Sequence, residues 1–192
     1  MDNDDITRLG VQRKNKPMIE DVIPEYLVGE YKVMALEFSS YLRESRIKPV
    51  WATHNAWKAT YKGKVICYIR LPRDESDFSW LRSKQPRDSD WKQSWIVTPH
   101  LYNMEAYEGQ IVREGLQGLI WDNLSYCGHC DPLRKCAPGL DKIILNKKIK
   151  GLCRGSSYDG YAVWIGNPDE SAIGGIKKLL ELEKKARAES SI

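Results

Sequence analysis

The chain has 192 residues, of which 42% are hydrophobic, and this suits one folded domain with a buried core. Its 30 basic and 26 acidic residues give a net charge of +4 and are interspersed, so the sequence does not favour a nucleic-acid partner. No apolar run approaches the ~20 residues that cross a membrane, and the polar start lacks the apolar segment of a secretory signal. We therefore expect a cytoplasmic protein without membrane association. In that compartment clustered cysteines are more often metal ligands or redox groups than structural disulfides.

The first half of the chain predicts a tail, a helix and a hairpin. Residues 1–20 are polar and lack periodicity, which indicates a flexible N-terminal tail before a single α+β domain over residues 21–192. Between residues 24 and 49, apolar side chains recur at three- and four-residue spacing, which predicts an amphipathic helix ended by Pro49. Lys62 and Gly63 separate two runs of β-forming residues. We expect strands at about 56–61 and 64–71, with Cys67 buried on one face of the second.

The second half alternates between strand-like and helix-like segments. We expect a short strand around residues 77–82 and another at 92–101, closed by Pro99. Residues 103–124 return to helical spacing, with Asn103 as the candidate N-cap. A buried strand at 160–166 and a C-terminal helix at 167–189 follow. This order predicts an α+β fold: a mostly antiparallel sheet with packed helices, and a cysteine-rich excursion at about residues 125–155.

Four cysteines with the spacing C-x2-C-x5-C-x16-C form the most distinctive pattern in the sequence, which begins in "SYCGHCDPLRKCAPG" (residues 125–139). A C-x2-C knuckle offers two thiolates from one tight turn, and zinc prefers four such ligands in a tetrahedron. The loop also has few apolar residues to offset the entropy of ordering it, so a metal cross-link would stabilise it. We therefore expect a structural zinc site with the ligands Cys127, Cys130, Cys136 and Cys153.

Two other functional readings of the cysteines stay open, besides plain free thiols or disulfides. Cys-Gly-His-Cys is also spelled like the active site of thiol–disulfide oxidoreductases, where Cys127 would attack and Cys130 would resolve. That chemistry requires a strand before the motif and a helix after it, whereas here a helix-like segment precedes it and Pro132 and Pro138 follow. Four thiolates would also suffice for an iron–sulfur cluster, although no flavin or nicotinamide signature accompanies them.

Three stretches resemble an uncharacterised bacterial family: "WKATYKGKVICYIRL", "CAPGLDKIILNKKIKGLC" and "NPDESAIGGIKKLLELEKK". Its members carry a cysteine-rich segment, a Pro-Gly-x-Asp-Lys stretch, a further cysteine and an Asn-Pro-Asp helix. More distantly, the chain resembles GyrI-like small-molecule-binding domains. That resemblance implies an aromatic-lined pocket for a small amphipathic or cationic ligand, with a carboxylate inside. The candidate lining residues are Trp51, Trp57, Tyr68, Trp95 and Trp164. Ordinary core aromatics are the competing interpretation of each.

Catalytic motifs do not stand out in the sequence. None of the three histidines pairs with a serine or aspartate in a recognisable pattern, and no phosphate-binding glycine loop is present. The sequence therefore favours a ligand-binding domain with a structural zinc over an enzyme. The runner-up is a thiol–disulfide oxidoreductase or redox sensor that uses the Cys127/Cys130 pair.

Overall fold

The structure, a computed structural model, describes residues 3–71, 94–124, 126, 139–152 and 161–189. Within these residues, the elements in chain order are α1 (Asn3–Asn15), α2 (Ile19–Tyr26), α3 (Gly29–Glu44), β1 (Lys48–Thr53), β2 (Ala56–Tyr61), β3 (Lys64–Arg70), β4 (Ile96–Leu101), α4 (Met104–Arg113), α5 (Gln117–Asp122), β5 (Leu140–Ile144), β6 (Lys147–Leu152), β7 (Tyr161–Ala162), β8 (Ile165–Gly166) and α6 (Glu170–Glu189). The main sheet has the order β1-β2-β3-β4-β7, with β8 paired to β4, and β5 and β6 form a separate hairpin. The pairs β1–β2, β2–β3, β4–β7 and β5–β6 are antiparallel. The predicted α+β fold is confirmed.

The chain clusters into two compact units. The first comprises Met1–Val97 with Gly166–Glu170, and the second comprises Thr98–Ile165 with Ser171–Ile192. In the segment predicted as a tail, the structure has helix α1. The predicted flexibility of that segment and the predicted single domain over residues 21–192 stay predictions. The strand expected around residues 77–82 lies outside the described residues.

In the first unit, the predicted hairpin is confirmed as β2 and β3. Its turn residues Lys62 and Gly63 have φ angles of 47° and 78°, so both are left-handed, as tight hairpin turns require. The register pairs Ala59 with Cys67, and both are fully buried. Cys67 is therefore the small buried residue that the alternation predicts.

The single helix predicted between residues 24 and 49 is wrong in its limits. Leu27 and Val28 are extended, which separates α2 from α3, and Gly29 starts α3 with a φ of +56°. Helix α3 ends at Glu44, three residues before β1, and Pro49 lies inside β1. Apolar spacing did not reveal the break because Leu27 is fully buried although it lies outside both helices.

Helix α2 is fastened to α3 by Glu20. Its carboxylate accepts two hydrogen bonds from the Arg43 guanidinium, at 2.6 and 2.8 Å, and a third from the Ser39 hydroxyl at 2.5 Å. Partial burial alone would raise the pKa of Glu20, but the hydrogen bonds from Arg43 and Ser39 outweigh it and lower the pKa to about 2. The carboxylate therefore stays ionised in the folded protein well into the acid range.

Helix α1 is docked on the β1–β2 turn through one buried amide. The Gln12 side chain donates to Asn55 Oδ1 at 2.7 Å, and its oxygen accepts from Asn55 N at 3.0 Å and from Trp51 Nε1 at 3.3 Å. Asn55 is left-handed, with a φ of 51°, and is almost fully buried. Because one polar side chain makes this contact, the sequence offers no apolar stripe by which to predict it.

The second unit contains α4, α5 and α6. The helix predicted over residues 103–124 is divided at Gly115, whose φ is +69°. A side chain at Gly175 of α6 would place its Cβ 2.6 Å from Leu119 of α5, so a glycine allows these helices to approach closely. Pro99 lies within β4 and does not close it, and β7 and β8 replace the single strand predicted at 160–166. No described helix is both long and apolar enough to span a membrane.

Candidate functional site

A fully buried carboxylate, that of Glu183 on α6, organises the α4–α6 side of the second unit. One oxygen accepts from Asn103 Nδ2 at 2.9 Å and from Arg187 Nε at 2.8 Å. The other accepts from the Tyr107 hydroxyl at 2.6 Å and from Asn103 N at 3.1 Å. We call Asn103, Tyr107, Glu183 and Arg187 the Glu183 cluster.

Within the Glu183 cluster, the polar and charged groups satisfy one another's hydrogen bonds and charges. Burial and the adjacent Glu183 carboxylate raise the pKa of the Tyr107 phenol far above its usual range, so the hydroxyl remains a donor. Arg187 is only 8% exposed, and its charge is balanced by Glu183 at i−4. The Tyr102 ring lies 5.1 Å from the Arg187 guanidinium carbon, a cation–π contact. Since both carboxylate oxygens already accept two hydrogen bonds, Glu183 is suited to holding helices together rather than to binding a ligand.

Beside this cluster, a cleft of about 270 Å³ lies between α4 and α6. Tyr107 and Ala186 are its buried residues, and Tyr107 belongs also to the Glu183 cluster. The described residues that line it are Ala106, Tyr107, Gly109, Gln110, Arg113, Leu182, Lys185, Ala186 and Glu189. The cleft is therefore formed by two helices whose separation the buried Glu183 contacts fix.

The charged residues of the cleft are Arg113, Lys185 and Glu189. Among the described residues, no hydrogen bond or ion pair engages the side chain of Arg113 or Lys185. Two nearby lysines on the same helix differ: Lys184 pairs with Glu181 at 2.9 Å, and Lys178 pairs with Glu114 at 3.1 Å. Within the described residues, the cleft thus presents two cations whose donors are not engaged.

Four of the five predicted pocket aromatics belong to the first unit. Trp57 and Trp95 are fully buried. The Trp57 indole donates to the Pro17 carbonyl at 3.0 Å, and the Trp95 ring packs at a tilted angle against the Phe38 ring. Trp51 lies opposite Trp57 in the β1–β2 register, so the sheet brings these two rings to one face. Tyr68 pairs with Lys58, whose side chain points to the other face.

The fifth aromatic, Trp164, is half-buried in the second unit. None of the five predicted aromatics lines the α4–α6 cleft. Their assignment to a ligand pocket stays a prediction.

All four predicted zinc ligands, Cys127, Cys130, Cys136 and Cys153, lie outside the described residues. Within the part of the chain that the structure describes, no three His, Cys, Asp or Glu side chains are grouped so that they could hold a metal ion.

The described residues that flank the cysteines come together at one end of the β5–β6 hairpin. Leu152, which precedes Cys153, pairs with Leu140 and forms an antiparallel bridge with Tyr126, which precedes Cys127. At the same end, a Cβ on Gly139 would lie 2.7 Å from Gly151 Cα, so the two backbones touch. The chain on both sides of residues 127–138, and just before residues 153–160, is therefore held at one place.

Sequence reasoning missed the Glu183 cluster and the cleft. A usable signal was present: Leu179, Leu180 and Glu183 follow helical spacing on the buried stripe of α6, and Arg187 continues it. A Glu and an Arg four residues apart on an apolar stripe indicate a buried ion pair. The cleft itself leaves no comparable signal, because it depends on how two distant helices pack.

No protein-family model matches the chain. Comparison with curated proteins gave no match, and neither did comparison with solved structures.

Proposed function

We propose that this protein is a cytoplasmic, small-molecule-binding α+β protein whose cysteine segment is held by a structural zinc ion. The ligand occupies the α4–α6 cleft, and Cys127, Cys130, Cys136 and Cys153 hold the metal. The resemblance to GyrI-like domains accords with a binding role and is part of the proposal. Neither a membrane nor a nucleic acid is a partner in it.

The observation that carries the binding role is the cleft itself. Its volume of about 270 Å³ lies just below the range of typical small-molecule sites, and its walls expose more polar than apolar surface, which suits a small polar ligand. Both walls are helices, and the Glu183 contacts fix them against each other. Because the two walls are held in place before a ligand arrives, binding does not have to bring them together.

The zinc part is supported by the flanks of the cysteines. Tyr126 and Leu152 are bridged, and each is the covalent neighbour of a predicted ligand. Gly139 lies three residues after Cys136 and contacts Gly151. Zinc requires four thiolates around one point, and a hairpin end that gathers these flanks suits such a site.

Elemental analysis of freshly purified protein, combined with a thiol count, tests the zinc. We expect about one zinc per chain, four thiols masked until denaturation, and loss of folded signal on chelation. Cys130→Ser should abolish stoichiometric metal, whereas Cys67→Ala should retain it because Cys67 is buried in the first unit. Metal-free protein with two rapidly reacting thiols would instead establish the redox alternative.

Filling the cleft tests the binding role. Ala106→Trp on α4 places a large ring in the cleft. Gly174→Trp places the same ring on α6 away from the cleft, where a built Cβ meets no neighbouring side chain within 4 Å. Binding to a panel of small metabolites, measured as a rise in melting temperature, should disappear in the first variant and persist in the second. Equal binding by both would refute the assignment to this cleft.

A further inference from the structure

We infer that the ligand of the α4–α6 cleft is a small anion whose carboxylate or phosphate group is held jointly by Arg113 and Lys185. This inference rests on the proposed binding function and adds the chemical class of the ligand. It begins from the side chains of Arg113 and Lys185, which come from different helices and have no partner among the described residues.

The position of Arg113 depends on a glycine one turn earlier. A Cβ added at Gly109 would lie 3.7 Å from Arg113 Nη1, so the guanidinium lies along the surface of α4 that Gly109 leaves uncovered. A longer side chain at position 109 would compete for that space. The missing side chain therefore leaves room for the guanidinium beside Gly109 at the cleft wall, while the Arg113 side chain stays largely exposed.

The donor set matches an oxyanion. A guanidinium presents a planar fork of N–H donors that fits two oxygens of a carboxylate or phosphate, and an ammonium adds a point charge. Gln110 contributes an amide that can donate to a further oxygen. The Tyr107 hydroxyl is already committed to Glu183, so it contributes its ring to the wall.

Surface lysines and arginines usually have no ligand, and Arg113 lies in the last turn of α4, where a cation also interacts favourably with the helix dipole. Two other cations on α6, Lys178 and Lys184, each pair with a carboxylate. Among the described residues that line the cleft, Glu189 is the one carboxylate, against two cations. This part of the lining thus keeps a net positive charge.

This charge argues against the cationic ligand that the GyrI-like resemblance implies. The buried carboxylate of the second unit, Glu183, has both oxygens occupied by protein donors and cannot attract a cation. The small volume of the cleft favours a compact metabolite over a bulky amphiphile.

Calorimetric titration at low ionic strength with citrate, glutarate, glycerol 3-phosphate and the cation benzyltrimethylammonium tests the inference. We expect at least one anion to bind, and Arg113→Gln and Lys185→Gln each to weaken it about tenfold or more, since each removes a charge-assisted contact. Lys178→Gln and Lys184→Gln are matched controls that should change affinity less than about twofold, because neither lysine lines the cleft and each pairs with a carboxylate, Glu114 or Glu181, that does not line it either. The preference between carboxylates and phosphate identifies the source of the oxyanion.

The remaining outcomes separate the two proposals. Binding of benzyltrimethylammonium without any anion, abolished by Ala106→Trp, would overturn the inference and leave the binding function intact. An anion whose affinity falls equally in the Lys178→Gln control would also overturn the inference, because it would reflect general charge. If Ala106→Trp leaves every titration unchanged, the assignment of binding to the cleft fails as well.

Discussion

Replacement of Glu183 by alanine should destabilise the protein strongly. The substitution removes the carboxylate that accepts four hydrogen bonds and leaves the guanidinium of Arg187, 8% exposed, without its countercharge. Because the four bonds share one carboxylate, their individual losses do not add. The cost is set by the uncompensated buried charge and amounts to about 3–5 kcal/mol.

Urea unfolding followed by far-UV circular dichroism measures this loss as a lower midpoint at an unchanged slope. The matched control is Glu181→Ala, which removes the 51% exposed partner of Lys184 on the same helix and should cost about 0–1 kcal/mol. Glu183→Gln should fall between the two variants, because the amide keeps one acceptor oxygen but turns its NH2 group towards protein donors.

The comparison has a clear failing result. If Glu183→Ala unfolds within about 1 kcal/mol of Glu181→Ala, the cluster is not a buried charge network and the rigid-cleft argument loses its basis. If Glu183→Ala is too unstable to purify, the Glu183→Gln midpoint carries the test. That variant should still lose more stability than Glu181→Ala.

Three further changes follow from the same contacts. In the wild-type protein, folding lowers the pKa of Glu20, so its contribution to stability is present above pH 4.5 and is lost as the pH falls towards 2. This loss amounts to about 1 kcal/mol after discounting for solvent screening, and Glu20→Gln should abolish it. Tyr107→Phe should remove a loss of folding stability that begins near pH 10. Folding raises the pKa of the Tyr107 phenol above its ordinary value of 10.0, so its contribution to stability is fully present below pH 10.0 and falls as the pH rises further. Unfolding midpoints of the two proteins at pH 9 and pH 11 measure the difference. Gly139→Ala should lower zinc content and melting temperature because its Cβ meets the Gly151 backbone. Gly118→Ala, with open space inside helix α5, should leave the zinc content unchanged and keep or slightly raise the melting temperature, because alanine favours a helix.

Local rules predicted the first hairpin and missed the second for one physical reason. Both two-residue turns require positive φ angles, and the glycine in Lys62-Gly63 indicates such a turn because glycine readily adopts them. The β5–β6 turn uses Leu145 and Asn146, at φ angles of 51° and 63°. Leucine rarely adopts that conformation, so the sequence gives no warning of it.

The candidate site was harder to predict because polar side chains define it through distant contacts. Asn103 was expected to cap α4, and it does occupy the N-cap position, but its side chain donates to Glu183 eighty residues along the chain. Propensity and periodicity describe near neighbours, whereas this contact depends on the packing of α6 against α4. The predicted aromatics show the same limit. The sequence identifies Trp57 and Trp95 as large rings, but whether they line a pocket or lie fully buried, as they do, depends on the fold.

The two kinds of charge in the second unit suggest that stability and binding are separable. Glu183 and Arg187 form a buried ion pair, so substitution of either should lower the stability of the fold before it affects binding. Arg113 and Lys185 are exposed and make no contact with the other charged groups of the described residues, so removing them should cost the fold little. A variant that loses anion binding while it retains its unfolding midpoint would therefore locate the binding energy in the cleft. Loss of both together would mean that the cleft cations act through the fold.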